Sequence, residues 1–125
     1  MSEVDPAAEP RLWLACLCAA WCRTCDAYEP VLEQVAAEFK TRLPQLQVRW
    51  IDIEDESDLV GDCDIQTFPT LAIVDPEGVR FFGTVTPHAE TLARLLRAHL
   101  SADDATHQAV PPEVMALAAQ LRAGA

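Results

Sequence analysis

Residues 19–25 read Ala19-Ala20-Trp21-Cys22-Arg23-Thr24-Cys25, two thiols three residues apart between an apolar run and an amphipathic one. Two cysteines at that spacing can close a small disulfide ring. A helix that starts beside the first of them favours its thiolate form, as does the Arg23 guanidinium, whereas Asp26 opposes it. The equipment is that of a dithiol–disulfide exchanger, with Cys22 exposed at the helix start as the attacking sulfur and Cys25, a turn further in, as the resolving one.

Upstream, Leu12 to Cys18 is almost wholly apolar, a short run that predicts a strand buried on both faces. On a strand Cys16 and Cys18 share one face and Leu17 takes the other. Downstream, Tyr28, Val31, Leu32, Val35, Ala36 and Phe39 recur at helical spacing up to about Arg42, and Pro30 predicts a kink. Leu46 to Ile53 reads as a second strand. The acidic residues Glu54 to Asp58 open a short helix that Gly61 stops.

Leu71 to Val74 is a third strand, and Asp75-Pro76-Glu77-Gly78 a turn. Val79 to Val85 returns as a hairpin strand, with Gly83 marking a bulge. Thr86-Pro87-His88 reads as a helix entry with Thr86 as cap, followed by a stripe of Leu92, Leu95, Leu96, His99 and Leu100. A polar linker over 101–110 leads to a last amphipathic helix through Val114, Leu117, Ala118 and Leu121. The order predicts an α/β fold: a mixed four-stranded sheet, parallel at the first crossover and antiparallel at the hairpin, flanked by helices.

The chain has 125 residues, half of them apolar, enough for one core. Residues 1–10 read as a flexible lead-in, 11–100 as the domain, and 101–125 as linker and terminal helix. A net charge of −11 speaks against nucleic-acid and anionic-membrane partners. No run approaches a membrane span, and the acidic N-terminus lacks the order of a secretory signal, so a cytoplasmic monomer is expected.

Five cysteines, four of them within ten residues, point to a local cysteine function in a reducing compartment rather than to structural staples. The series Cys16, Cys18, Cys22, Cys25 could be written as a zinc set. Two of its members lie within a strand beneath the helix, however, so no metal site is expected. Cys16 and Cys18 read as small buried apolar residues, with a second redox role as the alternative, and Cys63 as an exposed incidental or regulatory thiol. The three histidines, His88, His99 and His107, show no ligand spacing.

Trp21 before the first thiol, Pro30 five residues after the second, Phe68-Pro69-Thr70 before the hairpin, and the element order together make the chain resemble the thioredoxin family from about Leu12 to Leu100. The resemblance implies a thioredoxin-like fold and a Cys22–Cys25 redox pair acting on protein disulfides. It implies a cis bond at Pro69 beside the two sulfurs, and a substrate surface of Trp21, Arg23, Phe68 and Pro69. With no flavin or nicotinamide motif and no cofactor expected, electrons come from a reductase protein or a small thiol.

The departures from the pattern are specific. Only ten residues precede Arg11, so the N-terminal strand and helix are trimmed, and the last helix is extra. Arg23-Thr24 replaces the usual Gly-Pro, and Asp26 a common lysine. Cys16 stands where the family has a buried acid, and Trp50 near where it has that acid's lysine. A second reading follows: a thioredoxin-fold binding module or chaperone using the Trp21/Phe68 surface and the last helix, with redox secondary.

Overall fold

The computed structural model describes residues 11–124 apart from 62, 64, 66 and 101–106. The expected lead-in over 1–10 and most of the expected linker lie outside the described residues. The elements run β1 (Leu12–Cys18), α1 (Arg23–Lys40), β2 (Leu46–Asp52), α2 (Ser57–Val60), β3 (Thr70–Asp75), β4 (Gly78–Thr84), α3 (Ala89–His99) and α4 (Pro112–Arg122). The sheet order is β2-β1-β3-β4. β1 pairs parallel with β2 and antiparallel with β3, and β3 pairs antiparallel with β4.

Every residue of β1 is buried, because this central strand is covered on both faces. Alternation along it sends Leu14, Cys16 and Cys18 towards α1 and α3, where Tyr28, Leu32, Val35, Phe39, Leu92 and Leu96 close the first core. Trp13, Ala15 and Leu17 face the other way, onto Leu59, Val60, Val79 and the α4 residues Val114, Leu117, Ala118 and Leu121. The apolar stripe of the last helix is therefore buried on this chain's own sheet. Among the described residues no helix is long and apolar enough to cross a membrane.

Three local expectations are corrected. The hairpin's irregularity lies at Arg80, not at Gly83: Ile73 pairs with Phe81 and Val74 with Val79, leaving Arg80 as the extra residue. The insertion changes the parity of the strand. Val79 and Phe82 pack in the second core while Phe81, between them, packs against the first. Gly83 has a different role, since a Cβ there would stand 3.3 Å from the Phe81 ring.

Thr86 does not cap α3. The helix starts at Ala89, with His88 in the cap position, and Thr86 Oγ1 donates to Thr91 Oγ1 at 3.0 Å. Pro87 consequently lies before the helix, not in its first turn. Cys63 is not exposed: it is buried in the second core, and its thiol donates to the Glu113 carbonyl at the start of α4.

The hairpin turn is held by a charged cluster that the sequence did not announce. Asp75 is buried, and its carboxylate accepts the Glu77 and Gly78 N–H groups, the Arg80 guanidinium at 2.7 Å and His107 Nε2 at 2.8 Å. Burial alone would raise its pKa. The Arg80 bond, the two backbone donors and His107 together outweigh that and hold it below the ordinary carboxylate value. Arg80 also donates to the His99 carbonyl, so α3 and the segment at His107 are both tied to the turn.

Candidate active site

Strand β1 ends at Cys18, a tight turn follows in which the Cys22 N–H donates to the Ala19 carbonyl at 3.0 Å, and α1 starts at Arg23. Cys22 is the N-cap residue in extended conformation, and its sulfur makes no capping hydrogen bond. It is half-buried and packs against the first core, while Cys25, in the first turn, is fully inside. The partial positive charge of the helix N-terminus falls on this turn.

The sulfur of Cys25 is bonded to Cys18, with the two Cα atoms 5.9 Å apart, and Cys22 carries a free thiol. This corrects the reading of Cys18 as an apolar packing residue. The physical reason is visible in the strand parity: Cys18 faces α1 from the last position of β1, directly below the helix's first turn. Cys16 lies 3.9 Å from Cys18, sulfur to sulfur. A disulfide sulfur has no proton, so the Cys16 thiol is the donor in that contact.

Burial, with the Glu29 carboxylate adding to it, pushes the Cys16 thiol up to about 12, so it stays protonated at neutral pH. Cys16 pairs across the parallel strands with Trp50. Tyr28 is buried in the same core, and burial first and Cys16 second push its phenol above the ordinary range. Its hydroxyl has no hydrogen-bond partner among the described residues. The two buried groups beside the disulfide, the Cys16 thiol and the Tyr28 phenol, are thus both neutral at pH 7.

The candidate surface residues divide into an exposed and an inner set. Trp21 is 65% exposed, and its ring meets Phe68 edge-on, centroids 5.6 Å apart. Arg23 is exposed, Phe68 half-buried and Pro69 buried. The Phe68–Pro69 bond is cis. That loop is tied down by Thr70 Oγ1 donating to the Thr67 carbonyl and Val85 N–H donating to the Pro69 carbonyl. Leu17 pairs with Thr70, so the Phe68–Pro69 loop before β3 lies at the same end of the sheet as Cys18 at the end of β1.

The thioredoxin family model matches residues 4–98, three quarters of the sequence. The chain belongs to the thioredoxin family. This member is 37% identical over 68 residues to bovine protein disulfide-isomerase A4, a match covering 50% of this chain and 11% of that protein. It spans only a small part of that relative's length. Among solved structures, thioredoxin from Trypanosoma brucei brucei is 25% identical, with a TM-score of 0.60 over 74% of this chain and 78% of that one. Human ERp44 is 21% identical, with a TM-score of 0.60 over 72% of this chain and 28% of that one, a likeness of fold.

Family membership and the disulfide-isomerase relative support a function of the thiol–disulfide oxidoreductase type in general. Two features of this member were not read from its sequence. One is the Cys18–Cys25 bond, for which the available signal was a cysteine on the helix-facing side of β1 one turn before the motif. The other is the Asp75 cluster, which joins residues too far apart in the chain for spacing to reveal.

Proposed function

We propose that this thioredoxin-family chain is a thiol–disulfide oxidoreductase in which Cys22 attacks protein disulfides and Cys25 resolves the mixed disulfide. The observation that carries the reading is the placement of a free, half-exposed thiol at the N-cap of α1, one turn from a buried sulfur that is itself in a disulfide. The Cys22 thiolate displaces one sulfur of the substrate disulfide, which leaves as a thiolate and takes a proton. With the Cys18–Cys25 bond first reduced by an external dithiol, Cys25 then attacks Cys22 Sγ, the Cys22–Cys25 bond forms, and the second substrate sulfur leaves as a thiolate and takes a proton.

The exposed Trp21, in edge contact with Phe68, supplies an apolar platform for an incoming chain, with Arg23 and Pro69 beside it. The electrons return from an external dithiol, either a reductase protein or a small thiol. A cytoplasmic monomer fits the composition and the in-cis packing of α4.

The test is reduction of insulin disulfides driven by dithiothreitol. Wild type is expected to accelerate it and Cys22→Ser to abolish the acceleration. No turnover by wild type with any reductant would favour the binding-module reading instead.

A further inference from the structure

We propose that Cys18 is a second, interior partner for Cys25, and that the disulfide shuttles between Cys18 inside the fold and Cys22 at its surface. The proposal rests on the oxidoreductase reading above and adds a residue to it. The geometry has three parts. Cys18 and Cys25 are bonded, their Cα atoms 5.9 Å apart, inside the usual window for a disulfide. Cys22 and Cys25 occupy the N-cap and third positions of α1, the two positions close enough for each side chain to reach the other's backbone N–H in a capping box. Cys22 also packs against the core cluster that contains both Cys18 and Cys25. Cys25 therefore stands between two sulfurs, one on the strand and one at the cap.

The step is internal and balanced. The Cys22 thiolate attacks Cys25 Sγ, the Cys22–Cys25 bond forms, the Cys18–Cys25 bond breaks, and its electron pair leaves on Cys18. No electrons enter or leave the protein. The Cys16 thiol, 3.9 Å from Cys18 and already the donor towards it, stabilises the departing sulfur by the same hydrogen bond. In the reverse direction Cys18 attacks Cys25 and sets Cys22 free. After a substrate disulfide has oxidised the surface pair, this return step stores the disulfide inside and leaves a nucleophile at the surface. An external dithiol regains access to the stored oxidation through Cys22, since Cys18 and Cys25 are both buried.

The two positional isomers can be counted directly. The full chain is reduced, oxidised with glutathione disulfide, quenched in acid, blocked with N-ethylmaleimide and digested with trypsin. Cleavage after Arg11, Arg23 and Lys40 puts Cys16, Cys18 and Cys22 on one peptide and Cys25 on the next. Fragmentation of the linked pair then shows which two of the three cysteines carry the block. Wild type is expected to give both isomers, one blocked at Cys16 and Cys22 and one at Cys16 and Cys18. Cys22→Ser is expected to give only the Cys18–Cys25 link, and Cys18→Ala only the Cys22–Cys25 link.

A single isomer in wild type, of either kind, overturns the shuttle, and that count needs no variant to fold. Failure to link Cys25 to Cys18 in Cys22→Ser overturns it independently. Insulin turnover measured on the same wild-type sample separates the two claims. One isomer with turnover removes the shuttle and keeps the oxidoreductase; both isomers without turnover keep the shuttle and remove the oxidoreductase.

Discussion

Cys25, in the first turn of α1, is disulfide-bonded to Cys18 at the end of β1, while Cys22 at the helix cap holds a free thiol. The bond crosses from strand to helix, and the remaining thiols differ sharply in setting. Cys22 is half-exposed, whereas Cys16 is buried with its thiol pushed up to about 12. At pH 8 the Cys16 thiol is held in its protonated form, and the thiolate is the reacting species. Iodoacetamide on the native, disulfide-containing protein should therefore give a first adduct at Cys22, read by peptide mass. Cys16 should react only after unfolding. A native first adduct at Cys16 would contradict the burial described.

The Trp21–Phe68 contact separates protein substrates from small ones. An exposed aromatic anchor of this kind is worth about 1–2 kcal/mol to a docked chain, roughly 5- to 30-fold in kcat/KM. Trp21→Ala should lower kcat/KM for insulin by that factor and leave reduction of glutathione disulfide nearly unchanged. Its stability should shift by no more than about 0.5 kcal/mol, because the side chain is 65% exposed. An equal loss on both substrates would mean that Trp21 acts on the sulfurs rather than on docking.

Helix α4 contributes to the fold through one face. Leu117 is 1% exposed against the sheet, and Met115, on the same helix, is 58% exposed. Leu117→Ala should cost about 2–5 kcal/mol in urea unfolding, as for a buried leucine cavity. Met115→Ala should fall within about 0.5 kcal/mol of wild type. Equal effects would mean that the helix does not pack on the sheet as described.

Asp75 predicts both a stability and its pH dependence. Its folded carboxyl is held below the ordinary value, so the unfolded state binds more protons as the pH falls towards about 4. The contribution is full above that pH and is lost as acid protonates the folded carboxyl. Asp75→Asn leaves Arg80 buried without its carboxylate and should cost about 3–5 kcal/mol at pH 7. The gap between variant and wild type should narrow below pH 4. A gap that widened in acid would reverse the sign and refute the assignment.

Much of the fold was legible because burial imposes simple periods. The run from Leu12 to Cys18 is a strand with those bounds, and its parity alone divides Leu14, Cys16 and Cys18 from Trp13, Ala15 and Leu17. The stripe Tyr28, Leu32, Val35, Ala36, Phe39 is the buried face of α1. What failed was decided by contacts rather than by pattern. Gly83 suggested a bulge, yet the extra residue is Arg80, whose guanidinium is drawn to Asp75. Thr86 suggested a cap, yet its hydroxyl is engaged with Thr91.

The site was legible to the same degree. The junction of strand and helix, the cap position of Cys22 and the burial of Cys25 follow from the motif and its flanks. The partner of Cys25 did not, because spacing along a chain favours the near cysteine. Only the register of β1 beneath α1 brings Cys18 within bonding distance. His107 was likewise unreadable, lying 32 residues beyond the carboxylate it meets.

The central claim is that Cys22 is the sulfur that attacks a protein disulfide. Cys25→Ser removes the resolving sulfur, so a mixed disulfide formed by attack should persist. Incubated with insulin, blocked with N-ethylmaleimide and mapped by mass spectrometry, this variant should carry insulin covalently at Cys22. Absence of an adduct, or its formation at Cys16, Cys18 or Cys63, would contradict the account.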